Sequence, residues 1–308
     1  MLQRIRPLLT ATALLVLACL PGCRDDEDPP ATRPADGGRA VRVASLIPAV
    51  TNMLLELGEA EALVAVSNYD TDPRVESLPR VGDLLTIDWE QIAAAQPTHM
   101  IVQLSPEKIP PGARERAAEM DIQIVSVQLT TLDDIERALG TLQRELAPES
   151  ALSWSVRFRD ALDANLTGVL GDPPDPARLQ VAETLIALSP DLEFVVGYEN
   201  YLNDLLKGAG GSNVLPGRIQ QPYPRLDREM LLSLRPTHLI LILPDAAPAQ
   251  VEEARRALEN LEPAWGLAWE DVLLVTDPYA MAPGWSVVDL HRRMVEHLLA
   301  SPVTRPAR

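Results

Sequence analysis

Beyond its first two dozen residues this chain has no cysteine, because its two cysteines are Cys19 and Cys23. A disulfide framework and a cysteine nucleophile are therefore excluded from the rest of the chain. Histidine is also scarce, with four residues in 308. No apolar run reaches the roughly 20 residues that a membrane-spanning helix needs. The sequence therefore predicts a body without disulfides or transmembrane helices.

Positive charge is in deficit, since 27 Lys and Arg face 44 Asp and Glu and the formal net charge is −17. Nucleic acid is excluded as a partner, because a phosphate backbone needs clustered Lys and Arg. A Gly-x-Ser-x-Gly elbow is absent, and no acid, base and nucleophile recur near one another in the sequence. We therefore predict that the protein is not an enzyme and has no cofactor of its own.

The four histidines do not form a metal-binding pattern. His99 and His238 begin corresponding strands in separate halves of the chain, and His291 and His297 are six residues apart, which does not place them on one helix face. A zinc or manganese site needs three or four converging ligands. The sequence therefore predicts no metal site.

The N-terminus is typical of a secretory signal. Arg4 and Arg6 precede an apolar run from Leu8 to Leu20, which is too short to span a bilayer. The following Leu20-Pro21-Gly22-Cys23 resembles a bacterial lipobox, with Cys19 as the competing lipidation site. We prefer Cys23 because a Pro-, Gly- and charge-rich segment, residues 24–40, starts directly after it and is typical of a flexible tether. These features predict an extracytoplasmic protein that is held at the membrane only by a lipid.

From Val41 onward, apolar strand patterns alternate with helical patterns, which is typical of a mostly parallel sheet. The pattern predicts strands at 41–45, 63–67, 99–104 and 122–127, and a second series at 179–188, 193–197, 238–243 and 271–277. The first helix is predicted over 50–57, with Gly58 as its C-cap. The Gly-rich residues 208–211 follow a helical pattern, so we interpret them as a helix-ending turn and not as a phosphate loop.

Two segments of the chain, residues 88–104 and 227–243, align without a gap and share Asp, Glu, Pro, Thr and His. We interpret them as equivalent parts of two lobes. Between the lobes, residues 149–170 predict one helix of about 30 Å. Its apolar face would comprise Leu152, Val156, Leu162, Leu166 and Val169.

The sequence thus predicts an α/β fold with two Rossmann-like lobes joined by one long helix. Each lobe would have a mostly parallel sheet flanked by helices, and a ligand would bind between the lobes, outside the carboxyl ends of the strands. The predicted segments are a signal peptide (1–23), a tether (24–40), an N-terminal lobe (41–148), a connecting helix (149–171), a C-terminal lobe (172–300) and a tail (301–308).

Residues 42–73, 78–102, 203–216 and 223–241 together resemble the helical-backbone solute-binding proteins of ABC importers for cobalamin and ferric siderophores. The similarity is greatest to the cobalamin-binding members. It implies a periplasmic, monomeric protein that captures a solute and delivers it to a membrane permease. Cobalamin or a related corrinoid is the first ligand that it suggests, with a ferric siderophore or haem as the alternative. A free-standing ligand sensor without a permease also stays open.

By the same resemblance, Glu90 and Glu229 would dock on the permease, one on each lobe. Both also lie in the first turn of a predicted helix, behind the candidate N-caps Asp88 and Asp227, where a carboxylate interacts favourably with the helix dipole by about 0.3–1 kcal/mol. Their recurrence at equal positions favours docking, because capping alone does not require it.

The resemblance also suggests which residues contact the ligand. Tyr69 and Tyr223 match positions at which cobalamin binders place aromatic rings. Leu84 and Gln103 stand where the family has tryptophan, although Gln103 would still line the cleft. Tyr198, Tyr279 and Trp285 are further candidates to fill it. Arg80, Arg218 and Arg225 lie near predicted cleft loops, where a guanidinium would suit a carboxylate or phosphate on the ligand.

Overall fold

The computed structural model describes residues 40–83, 85–171, 182–217 and 219–300. The predicted signal peptide, both cysteines, the tether up to residue 39, the C-terminal tail, Leu84 and Arg218 lie outside these residues. Within the described ranges, no helix is both long and apolar enough to cross a bilayer.

Lobe 1 contains four parallel strands in the order β2-β1-β3-β4, with helices in the connections. Its elements are β1 (Val43–Ser45), α1 (Pro48–Leu57), β2 (Leu63–Val66), α2 (Trp89–Ala95), β3 (His99–Val102), α3 (Pro111–Glu119), β4 (Gln123–Ser126) and α4 (Leu132–Leu146).

Lobe 2 repeats this arrangement, with four parallel strands in the order β6-β5-β7-β8. After the connecting helix α5 (Trp154–Leu170), its elements are β5 (Ala182–Ala187), α6 (Tyr201–Gly208), β6 (Gly211–Asn213), α7 (Arg228–Ser233), β7 (His238–Ile242), α8 (Pro248–Glu259), α9 (Glu262–Trp265), β8 (Val272–Val275) and α10 (Val287–Ala300). The predicted α/β fold with two similar lobes is therefore confirmed.

Local sequence explains the helix ends. Pro48 occupies the first turn of α1, where its missing N–H has no helical partner to lose. Gly58 ends α1 with φ 86°, a left-handed conformation that glycine adopts without a steric penalty. The glycine-rich segment 208–211 ends α6, as predicted, and it also begins β6, a strand that the sequence did not predict.

In the central strands, successive apolar residues lie on opposite faces of the sheet and so belong to different hydrophobic cores. In β3, Met100 and Val102 pack on the outer face of the sheet, whereas Ile101 faces the inner one. In β7, Leu239 and Leu241 face outward and Ile240 inward. This alternation follows from the period of two in a strand. It explains why strands buried on both faces are almost continuously apolar.

The inner faces of the two sheets belong to one hydrophobic core. It includes Ile101 and Val125 of lobe 1, Ile186 and Ile240 of lobe 2, and Phe158 of the connecting helix. Helix α5 packs against both α4 and α10. The lobes are therefore joined by a packed helical layer.

The connecting helix begins later than predicted, at Trp154. Ser153 accepts a hydrogen bond from the backbone of Val156, and the Gln143 side-chain oxygen accepts one from the Trp154 backbone. The prediction for the helix face is also partly wrong, since Leu152 precedes the helix and is 62% exposed, and Val156 within the helix is 50% exposed. The fully buried side chains of the helix are Trp154, Phe158, Leu162 and Leu170.

The predicted strand at 193–197 is also wrong in part. This segment makes only isolated antiparallel bridges, Ala187 with Val195 and Phe194 with Arg225. It turns back from the end of β5 and so cannot continue the parallel ladder.

Candidate ligand-binding cleft

The loops that follow the strands of the two sheets meet at two places. Thr71, after β2, donates a hydrogen bond of 3.0 Å to the Tyr279 hydroxyl, after β8. The Tyr201 backbone N–H donates a hydrogen bond of 2.8 Å to the carbonyl of Thr130, after β4. The carboxyl edges of the two sheets therefore face each other, with a cleft between these contacts. Ligands of open α/β sheets bind at such an edge.

A cavity of about 590 Å³ lies beside the second contact. This volume falls within the range of small-molecule sites, roughly 300–1,000 Å³. Both lobes line it, chiefly through Thr130, Thr131, Asp133, Tyr198, Asp204 and Lys207.

Tyr69 projects from a tight turn on the lobe 1 side of the cleft, and it is 68% exposed. The Ser67 hydroxyl accepts a hydrogen bond from the Tyr69 backbone N–H (3.2 Å), and the Ser67 carbonyl accepts one from the backbone of Asp70. The turn therefore presents the ring to solvent on a well-defined backbone.

Asp70 anchors this turn to helix α1. Its carboxylate oxygen Oδ2 accepts hydrogen bonds from the Thr51 hydroxyl (3.0 Å) and from the Ser67 backbone N–H (3.1 Å). Asp70 is only 5% exposed. Because burial disfavours the charged form, it raises the pKa of the Asp70 carboxyl to about 6, against the opposing effect of the Thr51 hydrogen bond.

Lobe 2 presents two exposed aromatic rings, where lobe 1 presents Tyr69. Residues 193–197 pair antiparallel with residues 221–226 through backbone hydrogen bonds of 2.7 to 3.0 Å. Phe194 and Tyr223 lie side by side on this ribbon, with ring centroids 6.2 Å apart and an interplanar angle of 32°. A Cβ at Gly197 would lie 2.0 Å from a carbonyl oxygen of the partner segment, so only glycine permits this pairing.

Phe194 is the residue that sequence reasoning missed. It is 39% exposed, an unusual state for one of only two phenylalanines in the chain. The strand period gave no signal for it, because Val196, which is in phase with Phe194, is fully buried. The partner Tyr223 was among the predicted residues, and burial raises the pKa of its hydroxyl.

Gln103 and Tyr279 also lie at the carboxyl edges of the sheets. Gln103 directly follows β3 and is exposed. The Tyr279 hydroxyl takes part in the contact with Thr71 described above, and burial raises its pKa.

The other two predicted aromatics have structural contacts. Tyr198 donates a hydrogen bond of 2.7 Å from its hydroxyl to the carbonyl of Leu215, although it also lines the 590 Å³ cavity. Trp285 packs edge-on against Phe158 of the connecting helix, at 5.7 Å between ring centroids. The structure thus directs Trp285 toward α5 and does not place it beside the Phe194–Tyr223 pair.

The arginines near the cleft are engaged with the protein itself. Arg225 binds the carboxylates of Glu193 (2.8 Å) and Asp191 (3.1 Å). Arg80 donates to two backbone carbonyls, those of Ser67 and Asp70. These two side chains therefore stabilise loops at the cleft edge.

Glu90 and Glu229 occupy equivalent exposed positions on the two lobes. Each follows an aspartate N-cap: Asp88 accepts hydrogen bonds from the first turn of α2, and Asp227 from that of α7. Each helix leads into a parallel strand and so runs opposite to it. The helix N-termini, with both glutamates, therefore lie at the carboxyl edges of the sheets.

The histidines lie away from the cleft. His99 and His238 begin β3 and β7 at the amino edges of the sheets, and His291 and His297 lie on α10. The rings of His238 and His297 are 5.5 Å apart, a contact that the sequence did not reveal. Burial lowers the pKa of all four, that of His297 to about 4. No group of three or more metal-ligating side chains is found in the part of the chain that the structure describes.

The fold and the cleft together define a class: a two-lobed binding protein whose lobes are joined by a single helix. Residues 43–150 match the periplasmic binding protein family. Over these residues the chain is similar to that family, and the resemblance predicted from its sequence is confirmed. This relationship indicates an extracytoplasmic location.

A vitamin B12-binding protein of Vibrio cholerae is 28% identical over 199 residues, which cover 64% of this chain and 68% of that protein. Among solved structures, the periplasmic vitamin B12 binding protein of Vibrio cholerae superposes with a TM-score of 0.60 at 23% identity, covering 84% of this chain and 96% of the other. A periplasmic heme binding protein of Pseudomonas aeruginosa superposes with a TM-score of 0.66 at 19% identity, covering 87% and 95%. At these identities, the structural matches establish the fold alone.

Proposed function

We propose that this protein captures cobalamin or a related corrinoid in the cleft and delivers it to an ABC importer permease. The observation that carries the proposal is the presence of exposed aromatic rings on both walls of the cleft. Tyr69 follows β2 of lobe 1, and Phe194 and Tyr223 follow β5 and β6 of lobe 2, so the proposal assigns them to opposite walls. Flat rings bury a large area at a small cost in side-chain entropy, which suits a planar macrocycle. The vitamin B12-binding relatives support the same ligand.

The proposed role is transport without chemical change. The cleft-edge carboxyl and guanidinium groups of Asp70, Arg80 and Arg225 are used in hydrogen bonds and ion pairs that hold loops. We therefore propose a binding protein and not an enzyme, with the corrinoid as cargo.

Haem is the second candidate, because a heme binding protein shares the fold. All four histidines lie away from the cleft edges, so none is placed to ligate a haem iron there. Tyrosine is also a ligand of haem iron, however, so the exposed Tyr69 and Tyr223 keep haem as a candidate, and a direct comparison of ligands decides between the two.

Calorimetric titration of the full-length protein with cyanocobalamin, haemin and a ferric hydroxamate tests the ligand assignment. We expect the tightest binding for cyanocobalamin. Tighter binding of haemin or of the iron chelate would replace the corrinoid by that ligand, and no binding of any of the three would contradict the proposal.

Glu90 and Glu229 would dock on the permease. A carboxylate at the same exposed position of each lobe suits a partner with two basic patches related by a two-fold axis. The double variant Glu90→Ala and Glu229→Ala should bind cyanocobalamin as the parent does and lose uptake in cells. Glu107→Ala with Glu119→Ala, a pair of exposed carboxylates elsewhere on lobe 1, serves as the charge-matched control. Unchanged uptake in the docking variant would show that Glu90 and Glu229 do not dock on the permease.

We also propose that the protein is a monomer anchored by a lipid on Cys23. Metabolic labelling with a fatty acid should be lost in Cys23→Ser and kept in Cys19→Ser. The opposite pattern would move the acylation site to Cys19. Light scattering of the purified protein should give the mass of one chain.

A further inference from the structure

A second cavity, which we call the junction pocket, lies where the two lobes and the connecting helix meet. Its volume is about 340 Å³. Asn52 of α1 belongs to lobe 1, Asn165 belongs to α5, and Trp285 and Val288 belong to lobe 2. Neither Tyr69 nor the Phe194–Tyr223 pair of the proposed corrinoid site lines it.

The floor of the junction pocket contains a buried amide with unused hydrogen-bonding capacity. Asn52 is 8% exposed, and its side-chain oxygen accepts a hydrogen bond of 3.1 Å from the Ser286 backbone. Its side-chain NH2 donates no hydrogen bond within the described residues. The Asn165 side chain donates to the Val288 carbonyl at 2.8 Å, and its oxygen accepts none there. The floor therefore offers the two N–H donors of Asn52 and the acceptor oxygen of Asn165.

An indole ring forms one wall of the junction pocket. Trp285 is held from behind by Phe158 and by the guanidinium of Arg157, which lies 5.8 Å from the centre of the indole ring. The ring is thus fixed in place, and its half-buried surface lines the cavity. Such a ring suits the apolar face of a small cyclic molecule.

The charged groups at the rim are paired. Glu56 binds Arg74 at 2.8 Å, and Asp289 binds Arg292. Arg292 itself lines the pocket beside Asp289, so the lining carries charges of both signs. Because these charges already neutralise one another, none is left free to bind an ion.

Hydroxyl groups both donate and accept hydrogen bonds, so they match the amides and the rim together. We propose that the junction pocket binds a small uncharged polyol of monosaccharide size, with its ring on Trp285 and its hydroxyls on Asn52 and Asn165. Because the occupant contacts both lobes and α5, it stabilises the lobe arrangement seen here.

Saturation-transfer NMR of the full-length protein with D-glucose and with myo-inositol tests the proposal. We expect transfer to the ring protons of at least one of them at millimolar concentration, and the same transfer in the presence of excess cyanocobalamin. No transfer to either compound would overturn the proposal, and this outcome is independent of the corrinoid assignment. Displacement by cyanocobalamin would also overturn it, because it would show that the polyol and a bound corrinoid share the cleft.

Two variants locate the site. Asn52→Asp keeps the oxygen that binds Ser286 and removes the donor, and Trp285→Ala removes the wall; each should weaken polyol binding at least tenfold. Trp269→Ala is the matched control, since Trp269 is also half-buried beneath an arginine, with Arg255 at 4.8 Å, but lies outside the pocket. Retained binding in both site variants, or preferential binding of the cation putrescine, would contradict the proposal.

Discussion

The two lobes share one topology and present aromatic rings to the cleft in different ways. Lobe 1 carries Tyr69 on a single tight turn whose anchor, Asp70, is a buried carboxyl group. Lobe 2 carries Phe194 and Tyr223 on a paired ribbon held by backbone hydrogen bonds. A repeated scaffold thus fixes where the loops emerge, and the loops alone decide what they offer a ligand.

The lobes also differ in their buried titratable groups. In lobe 1 the Asp70 carboxyl has a raised pKa, and in lobe 2 the paired His238 and His297 have lowered pKa values. Acidification should therefore stabilise the first environment and destabilise the second.

The largest expected effect concerns the core that joins the lobes. Phe158→Ala should lower the free energy of unfolding by about 3–5 kcal/mol, because it leaves a cavity in a fully buried site. Urea unfolding monitored by circular dichroism measures this change. Both lobes should still unfold in a single transition. Phe194→Ala, at the other phenylalanine, is the exposed control and should cost less than 1 kcal/mol. Two separate transitions would contradict a core shared by the lobes.

His297 should make lobe 2 sensitive to acid. Its pKa in the folded protein, about 4, is below the usual 6.5, so the stability it contributes is present above pH 6.5 and is lost as the pH falls toward 4. His297→Gln should reduce this pH-dependent loss by up to about 3 kcal/mol. Unfolding free energies measured between pH 7.5 and 4 test this, and an unchanged slope would refute the assignment.

In lobe 1, Asp70 should make the free energy of unfolding depend on pH in the opposite direction. Its folded pKa of about 6 exceeds the usual 3.8, so ionisation costs the folded state free energy that grows from pH 4 to pH 6 and then stays constant. Asp70→Asn, which keeps an oxygen for Thr51 and Ser67, should therefore raise stability at pH 7.5 by about 2 kcal/mol relative to its effect at pH 4.

The neighbouring Asp72 is the matched control for Asp70. Hydrogen bonds from Arg74 lower the pKa of the Asp72 carboxyl, so its stabilisation is present at neutral pH and lost on acidification. Asp72→Asn should then destabilise the protein at pH 7.5. Equal responses of the two variants to pH would show that the difference in their environments has no effect.

The smallest expected effect compares the two cleft walls. Phe194→Ala and Tyr223→Ala should each weaken cyanocobalamin binding about tenfold, or about 1.4 kcal/mol. Tyr69→Ala should cost less, because its ring stands alone on the lobe 1 wall. Tyr198→Phe, which removes only the hydroxyl bonded to Leu215, should leave affinity unchanged in calorimetric titration. A larger loss of affinity in Tyr69→Ala than in the two lobe 2 variants would indicate that lobe 1 supplies the main contact surface.

Much of the fold followed from local patterns in the sequence. The alternation of strands and helices, the repeat at residues 88–104 and 227–243, and the cap at Gly58 all depend on neighbouring residues. The predictions were wrong where contacts between distant parts of the chain determine the local structure. The start of α5 at Trp154 depends on Gln143 of another helix, and residues 193–197 leave the sheet because residues 221–226 pair with them.

By itself, the sequence determined two similar α/β lobes and an exposed glutamate behind an aspartate cap on each, because periodicity and capping operate within a few residues. Only the tertiary structure decided that Phe194 meets Tyr223, that Asp70 is buried against Thr51 of α1, and that Trp285 packs against the connecting helix. Such contacts join segments far apart in the chain, and their geometry depends on how whole elements pack.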